Sequence, residues 1–449
     1  MSRNQKSSWG EGLLSRRQLL SDSARTAGFV GLASVSDWFW PGPASASSAG
    51  ADGFGDLLPP DSNGLMLPPG FSSRVVAVTG QPVGTTSYIW HSDPDGGATF
   101  ATGDGGWIYV SNQESTAGVS GVSAIRFGSD GAITNAYSIL NGTNHNCAGG
   151  PTPWGTWLSC EEVIGGRVFE CDPFTPASQG SLVAGLGTFQ HEAAAVDAVG
   201  QKVFLTEDQP NGLFYRFTPN QYPNLQSGSL EAAEILDPGS QGPIQPGQKR
   251  PLAWHAIAEA NPSSGGVQNQ THLPLTERAT RYQASSATRF NGGEGCWVHG
   301  RRVYFSTKGD NRVWVLDNQT NEIEIVYDLA TTSMPELSNV DNVFAGPGGD
   351  VYVAEDPGNL QIVALTPSGN VKPIVQLTGQ IFTEITGPAL SPDGSRLYFS
   401  SQRSPGTTYE VTGPFLGLPS VPALGSSGHG VILGALAALS GFGLRKRTP

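Results

Sequence analysis

Charge is scarce in this chain. Only 14% of its 449 residues are Asp, Glu, Lys or Arg, and the balance is acidic, with a formal net charge of −13. Nucleic-acid binding needs a basic footprint, so nucleic acid is excluded as a partner. Seven scattered histidines exclude a His-rich zinc site. No H-E-x-x-H, P-loop, dinucleotide fingerprint or nucleophile elbow occurs, which removes the zincins, the phosphate-loop enzymes, the dinucleotide folds and the serine hydrolases. Long apolar runs are also missing from the body of the chain. Thr26–Val35 is too short and too rich in small residues to span a bilayer, and the other uncharged run, Gly430–Leu444, lies at the far end.

What is abundant is Gly (60) and Pro (33), together more than a fifth of the chain. That balance favours many short strands joined by tight turns over long helices. Apolar residues make up 38% and aromatics 9%, enough for a large core.

Both ends carry address-like segments. Ser15-Arg16-Arg17-Gln18-Leu19-Leu20 is a twin-arginine pattern, followed by the apolar run and by Ala44-Ser45-Ala46, small residues at signal-peptidase spacing. Residues 1–46 are therefore expected to be a twin-arginine signal peptide, placing the mature protein in the periplasm, at the cell surface or outside the cell. A Gly/Ser/Pro linker (417–428) leads to an apolar tail (429–449) that stops at Arg445-Lys446-Arg447. The tail reads as a surface-sorting signal or a short membrane anchor.

Between these ends one strand pattern recurs: Ile108-Tyr109-Val110-Ser111, Thr156-Trp157-Leu158-Ser159, Val203-Phe204-Leu205-Thr206, Val303-Tyr304-Phe305-Ser306, Val351-Tyr352-Val353-Ala354 and Leu397-Tyr398-Phe399-Ser400. The starts are 48, 47, 100, 48 and 46 residues apart. A period near 47 suits one four-stranded propeller blade. The spacing predicts an all-β, six-bladed β-propeller over residues 57–414, with seven blades as the alternative. A two-sheet sandwich leaves the even period unexplained. The double interval predicts an irregular insertion at 219–289, rich in Gln, Pro and Ser, which is expected to serve as a lid.

Equivalent loops of a propeller gather on one face. Here they read Asn112-Gln113-Glu114, Cys160-Glu161-Glu162, Glu207-Asp208, Thr307-Lys308-Gly309-Asp310, Glu355-Asp356 and Ser401-Gln402-Arg403. Five of the six bring a carboxylate. Like charges so placed repel unless cations neutralise them, and calcium with its oxygen ligands is the natural neutraliser. The competing reading is that these are solvated loop acids. Glu192, the Gly-flanked Glu294 and Asp341 lie just upstream of repeated strands and add to the candidate set. Cys160 and Cys171 stand symmetrically about Gly165-Gly166, which leaves a cross-strand disulfide or two buried thiols open. Cys147 pairs with Cys296, is simply buried, or ligates a metal.

The stretch NCAGGPTPWGTWLSCEE, Asn146 to Glu162, puts that thiol and two adjacent carboxylates on a Gly-rich turn and strand. Soft and hard ligands in one place suit iron beside calcium or magnesium. The stretch resembles the signature of the PhoX-type bacterial alkaline phosphatases, exported propeller enzymes with an iron–calcium cluster. HEAAAVD from His191, TEDQPNGLFYRF from Thr206, GGEG from Gly292, DNVFAGPGGDVYVAEDPG from Asp341 and TGPALSPDGSRLYFSSQ from Thr386 extend the resemblance over roughly Leu57–Pro414.

The resemblance implies Ca2+ and Fe3+ as cofactors and small phosphate monoesters as substrates, with the chain working as a monomer. It implies Cys147 as an iron ligand, with Glu207 and Glu294 as carboxylates of the iron cluster. Glu162, Glu192, Asp208 and Glu355 are implied on the calcium side, with Glu161 competing with Glu162, and Asp341 and Asp356 remain further acidic candidates. Lys308 and Arg403 are expected to stabilise charge developing on phosphate. One departure stands out: the family pattern has an arginine two residues before the glutamate of GGEG, where this chain has Gly292. The alternatives are a calcium-dependent lactonase or phosphotriesterase-like esterase, and a non-catalytic, surface-displayed calcium-binding propeller.

Overall fold

The computed structural model describes residues 50–415, apart from 117, 264–271 and 404. The expected leader and the linker and tail from 417 onward lie outside the described residues. Each aromatic–aliphatic run forms a strand with both faces covered: Trp107–Gln113, Trp157–Glu161, Lys202–Glu207, Arg302–Thr307, Val351–Glu355 and Arg396–Ser401. Each is the second strand of an antiparallel sheet. Before it in each sheet comes an innermost strand: Pro94–Ala101, Asn146–Pro151, His191–Asp197, Gly293–His299, Val340–Ala345 and Ile385–Leu390. These six strands lie side by side in a closed ring, the last against the first. The fold is thus a β-propeller. Among the described residues, 3-10 turns are the only helical elements.

Hydrogen bonding joins the strands into five sheets, because one sheet has nine strands. It divides where Arg250–Ala256 touches Glu322–Asp328 through only two residue pairs. The double interval in the repeat is explained here. Asn224–Ile235 and Arg250–Ala256 are regular strands within the irregular insertion expected at 219–289, which is left irregular among the described residues at 236–249 and after 256. Among the described residues that interval adds no further innermost strand. Ser72–Val78 closes the ring from the other end of the chain by pairing with Thr407–Thr412.

Aromatic rings fill the wedges between sheets. Phe214 stacks on Phe305 with centroids 4.1 Å apart, and Tyr109 on Tyr398 at 5.1 Å. Burying such a side chain contributes about 1.5–3 kcal/mol. The axis takes small residues only: a Cβ on Gly295 would lie 2.3 Å from the Val343 nitrogen, and one on Gly96 2.5 Å from the Ala148 Cα.

The four cysteines are buried and free, which corrects the disulfide alternative. The hairpin is centred on Ile164, since the Glu161 N–H bonds to the Arg167 carbonyl. Cys160 therefore faces Val168, and Cys171 faces Trp157.

Candidate metal centre

Two tiers of side chains build the mouth of the ring. The first comes from the second residue of each innermost strand: Asp95, Cys147, Glu192, Glu294, Asp341 and Thr386. Pairing with the neighbouring strand shifts beside each of these residues. Such a β-bulge re-aims a side chain out of the regular pleat. Polar groups of the preceding sheet brace the bulges. Asn112 Nδ2 donates to the Cys147 carbonyl at 3.0 Å and to that of Ala148 at 2.7 Å. Its Oδ1 accepts from Trp157 Nε1 and Ser159 Oγ. The Thr206 hydroxyl donates to the Glu294 carbonyl, and the Ser306 hydroxyl to that of Asp341.

The second tier is the residue just after each second strand: Glu114, Glu162, Asp208, Lys308, Asp356 and Gln402. With Glu384, the two tiers form four overlapping groups whose ligand atoms lie within 4.8 Å of one another. These are Asp95–Glu114–Cys147, Cys147–Glu162–Glu192, Glu192–Glu294–Asp341 and Asp341–Asp356–Glu384. Asp208 is close enough to Glu162 to share a proton with it.

The structure therefore brings together Cys147, Glu162, Glu192, Asp208, Glu294, Asp341 and Asp356. It does not bring in three expected ligands. Glu161 grips the Arg167 guanidinium at 2.8 and 3.0 Å. Glu207 accepts from Arg281 at 2.9 Å, from the Tyr215 hydroxyl at 2.8 Å and from the Leu213 amide. Glu355 accepts from the amides of Ser338, Asn359 and Gln361. The cause is strand alternation: the last strand residue and the one after it face opposite ways, so each acidic pair splits into a structural member and a site member. Asp95 and Glu384 were missed, and Glu114, placed on the ring by the first repeat's loop, was not assigned as a ligand. Glu114 occupies the same repeat position as Glu162 and was legible by that equivalence.

Lys308 Nζ lies 2.8 Å from Asp356, 3.3 Å from Glu294 and 3.6 Å from Asp341. Arg403, partly exposed at the rim, meets Glu384 at 2.8 Å and Glu114 at 3.3 Å. Arg312 is held by Asp310 and Asp328, and Arg289 donates to the Arg281 carbonyl, so neither serves the ring. A side chain on Gly292 would start 3.3 Å from Asp208 Oδ1, and its φ of +70° favours glycine.

Burial dominates the electrostatics. It pushes Glu162 up to about 8, with Asp208 and Glu114 adding to the rise, and Asp341 up to about 7 against the pull of Lys308. It drives the Cys147 thiol well up, assisted by Asp95 and Glu192. Both carboxylate oxygens of Glu192 are buried with no hydrogen-bond partner, and buried Glu294 Oε1 has only the Lys308 ammonium, 3.3 Å away. Buried acids are normally paired or bound to metal. One thiol among carboxylates is a donor set that takes both a softer and a harder cation. The residues present therefore fit a metal cluster.

The family model described as Alkaline phosphatase PhoX matches residues 111–167 and 164–328. Pseudomonas fluorescens PhoX, solved in complex with vanadate, a transition-state analogue, superposes with a TM-score of 0.65 at 17% identity, covering 82% of this chain and 99% of that one. A Bacteroides thetaiotaomicron protein of unknown function gives 0.46 at 9% identity, covering 76% of each chain. The gluconolactonase XC5397 of Xanthomonas campestris gives 0.40 at 11%, covering 80% and 98%. No curated protein matches. The family match spans Glu114, Cys147, Glu162, Glu192, Asp208, Glu294 and Lys308.

Proposed function

We propose that this chain, whose residues 111–328 match the family model of the PhoX alkaline phosphatases, is an exported phosphomonoesterase of that family working at an iron–calcium cluster in the mouth of the propeller. The observation that carries this is Glu192: a fully buried carboxylate, both oxygens without a partner, within reach of a thiol and three further carboxylates. Cys147, with Glu192 and Glu294, would hold iron. Glu162, Asp208, Glu384, Asp95 and Glu114 would hold calcium, and Asp341 and Asp356 lie against the Lys308 ammonium. When bound, the metals neutralise the phosphate dianion and polarise its P–O bonds.

The chain's own residues position the substrate. Arg403 stands at the rim with its side chain 45% exposed, and its planar fork matches two phosphate oxygens. Glu384 and Glu114 hold that guanidinium over the ring. The small residues around the axis floor the site and confine the ester to the outer face. The twin-arginine leader supports export after folding, a route suited to a protein whose site is assembled before transport.

Removing metal with a strong chelator is expected to abolish hydrolysis of 4-nitrophenyl phosphate, and iron plus calcium to restore it. Cys147→Ala is expected to lose iron and to resist rescue by calcium alone. Full hydrolysis by chelated protein would overturn the proposal.

A further inference from the structure

The ring of acids contains a cation of its own. Lys308 stands after the second strand of its sheet, where the neighbouring repeats place Asp208 and Asp356. Three carboxylates from two innermost strands and one loop surround its Nζ: Asp356 at 2.8 Å, Glu294 at 3.3 Å and Asp341 at 3.6 Å. An ammonium has three donors to offer such a cage. Its backbone is fixed as well. The Lys308 N–H bonds to the Gly292 carbonyl and the Gly309 N–H to that of Asn291, so the lysine is tied to the segment that carries Glu294. A Cβ on Gly292 would lie 3.3 Å from Asp208 Oδ1 and 3.8 Å from Glu294 Oε1, so the glycine adds no side chain beside them.

The two halves of the ring differ. Among the described residues no Lys, Arg or His forms an ion pair with Glu162 or Glu192, and neither oxygen of Glu192 has a hydrogen-bond partner. Around Glu294, Asp341 and Asp356 the ammonium already lies within ion-pair distance of each. A metal bound to the same oxygens would stand close beside it, and two cations so near repel.

Resting on the metal-dependent reading above, we infer that Lys308 is a built-in cation that takes the place of one metal ion among Glu294, Asp341 and Asp356. It acts as a positioning residue for those carboxylates and leaves contact with the phosphate to Arg403. The chain then binds one cation fewer than its acidic ring would otherwise hold.

The test is metal content by elemental mass spectrometry, with folding followed by circular dichroism, on the full mature protein equilibrated with calcium. Lys308→Met is expected to gain one calcium per chain. Its melting temperature is expected to fall in chelator and to recover with calcium more than that of the parent. Lys308→Met combined with Asp356→Asn is expected to return to the parent's metal number. A parent protein without metal would sink the metal-dependent reading itself. A metal-bearing parent whose Lys308→Met variant binds the same number or fewer would overturn the inference alone. A raised KM for 4-nitrophenyl phosphate at unchanged metal number would do the same and make Lys308 a substrate ligand. If Lys308→Met stays unfolded even with calcium, the double variant decides: folding with the parent's metal number supports the inference, and failure overturns it.

Discussion

Glu192 is the residue on which stability and function pull in opposite directions. Its carboxylate is buried, without a partner, and held far above its ordinary range by burial and then by Glu294 and Glu162. An apolar side chain of similar length removes that cost. Glu192→Met is expected to stabilise the chelated protein by about 1–3 kcal/mol, read as a higher urea midpoint at unchanged slope. The same variant is expected to lose metal and activity. A lower midpoint would show that the carboxylate has a structural partner.

At the scale of the element, the acidic pairs show why a repeat alone does not name its ligands. Glu207 and Asp208 are neighbours in sequence with opposite tasks. Glu207→Gln removes the charge facing the buried Arg281 guanidinium and is expected to destabilise by about 3 kcal/mol while leaving the metal ligands in place. Asp208→Asn, at the mouth, is expected to shift stability by less than about 0.5 kcal/mol and to lower metal content. Chemical denaturation beside elemental analysis separates them, and the reverse assignment of effects would restore Glu207 as a ligand. The same parity separates Glu161 from Glu162 and Glu355 from Asp356. The bulge beside each second residue of an innermost strand leaves no mark in composition. Asp95 was missed for that reason: it lies in Pro94-Asp95-Gly96-Gly97, which reads as a turn and forms part of an innermost strand.

At the scale of the whole molecule, the ring concentrates carboxylates that the unfolded chain keeps apart. Burial raises Glu162 to about 8, Asp341 to about 7 and Glu384 to about 11, well above the ordinary carboxylate range. Without metal, the folded state then binds more protons than the unfolded one between these limits. Its stability is fully present below about pH 4 and is lost as pH rises through 7 and 8. The melting temperature of chelated protein is expected to fall steadily from pH 5 to pH 8.5. With metal bound, the ionised carboxylates are the ligands, and that fall is expected to vanish. A chelated protein with a flat profile would show that the acids are solvated.

The sequence by itself determined the all-β class, the repeat, the closure of equivalent loops onto one face and the acidic character of that face. Strand period, turn residues and spacing are local properties, and a propeller repeats them. It also placed the acidic pairs Glu161-Glu162, Glu207-Asp208 and Glu355-Asp356 at matching positions of the repeat and Glu192, Glu294 and Asp341 beside repeated strands, while Cys147 entered the candidate site through the family resemblance. Only the tertiary structure decided which member of each acidic pair faces the axis, that Glu384 and Asp95 join the ring, and that Lys308 sits inside it. Those outcomes depend on the bulges, on a hairpin centred on Ile164 instead of its glycines, and on partners such as Arg281 that lie 74 residues from the acid they neutralise. Contacts made across such distances are set by how the sheets pack around the axis, and no local pattern encodes them.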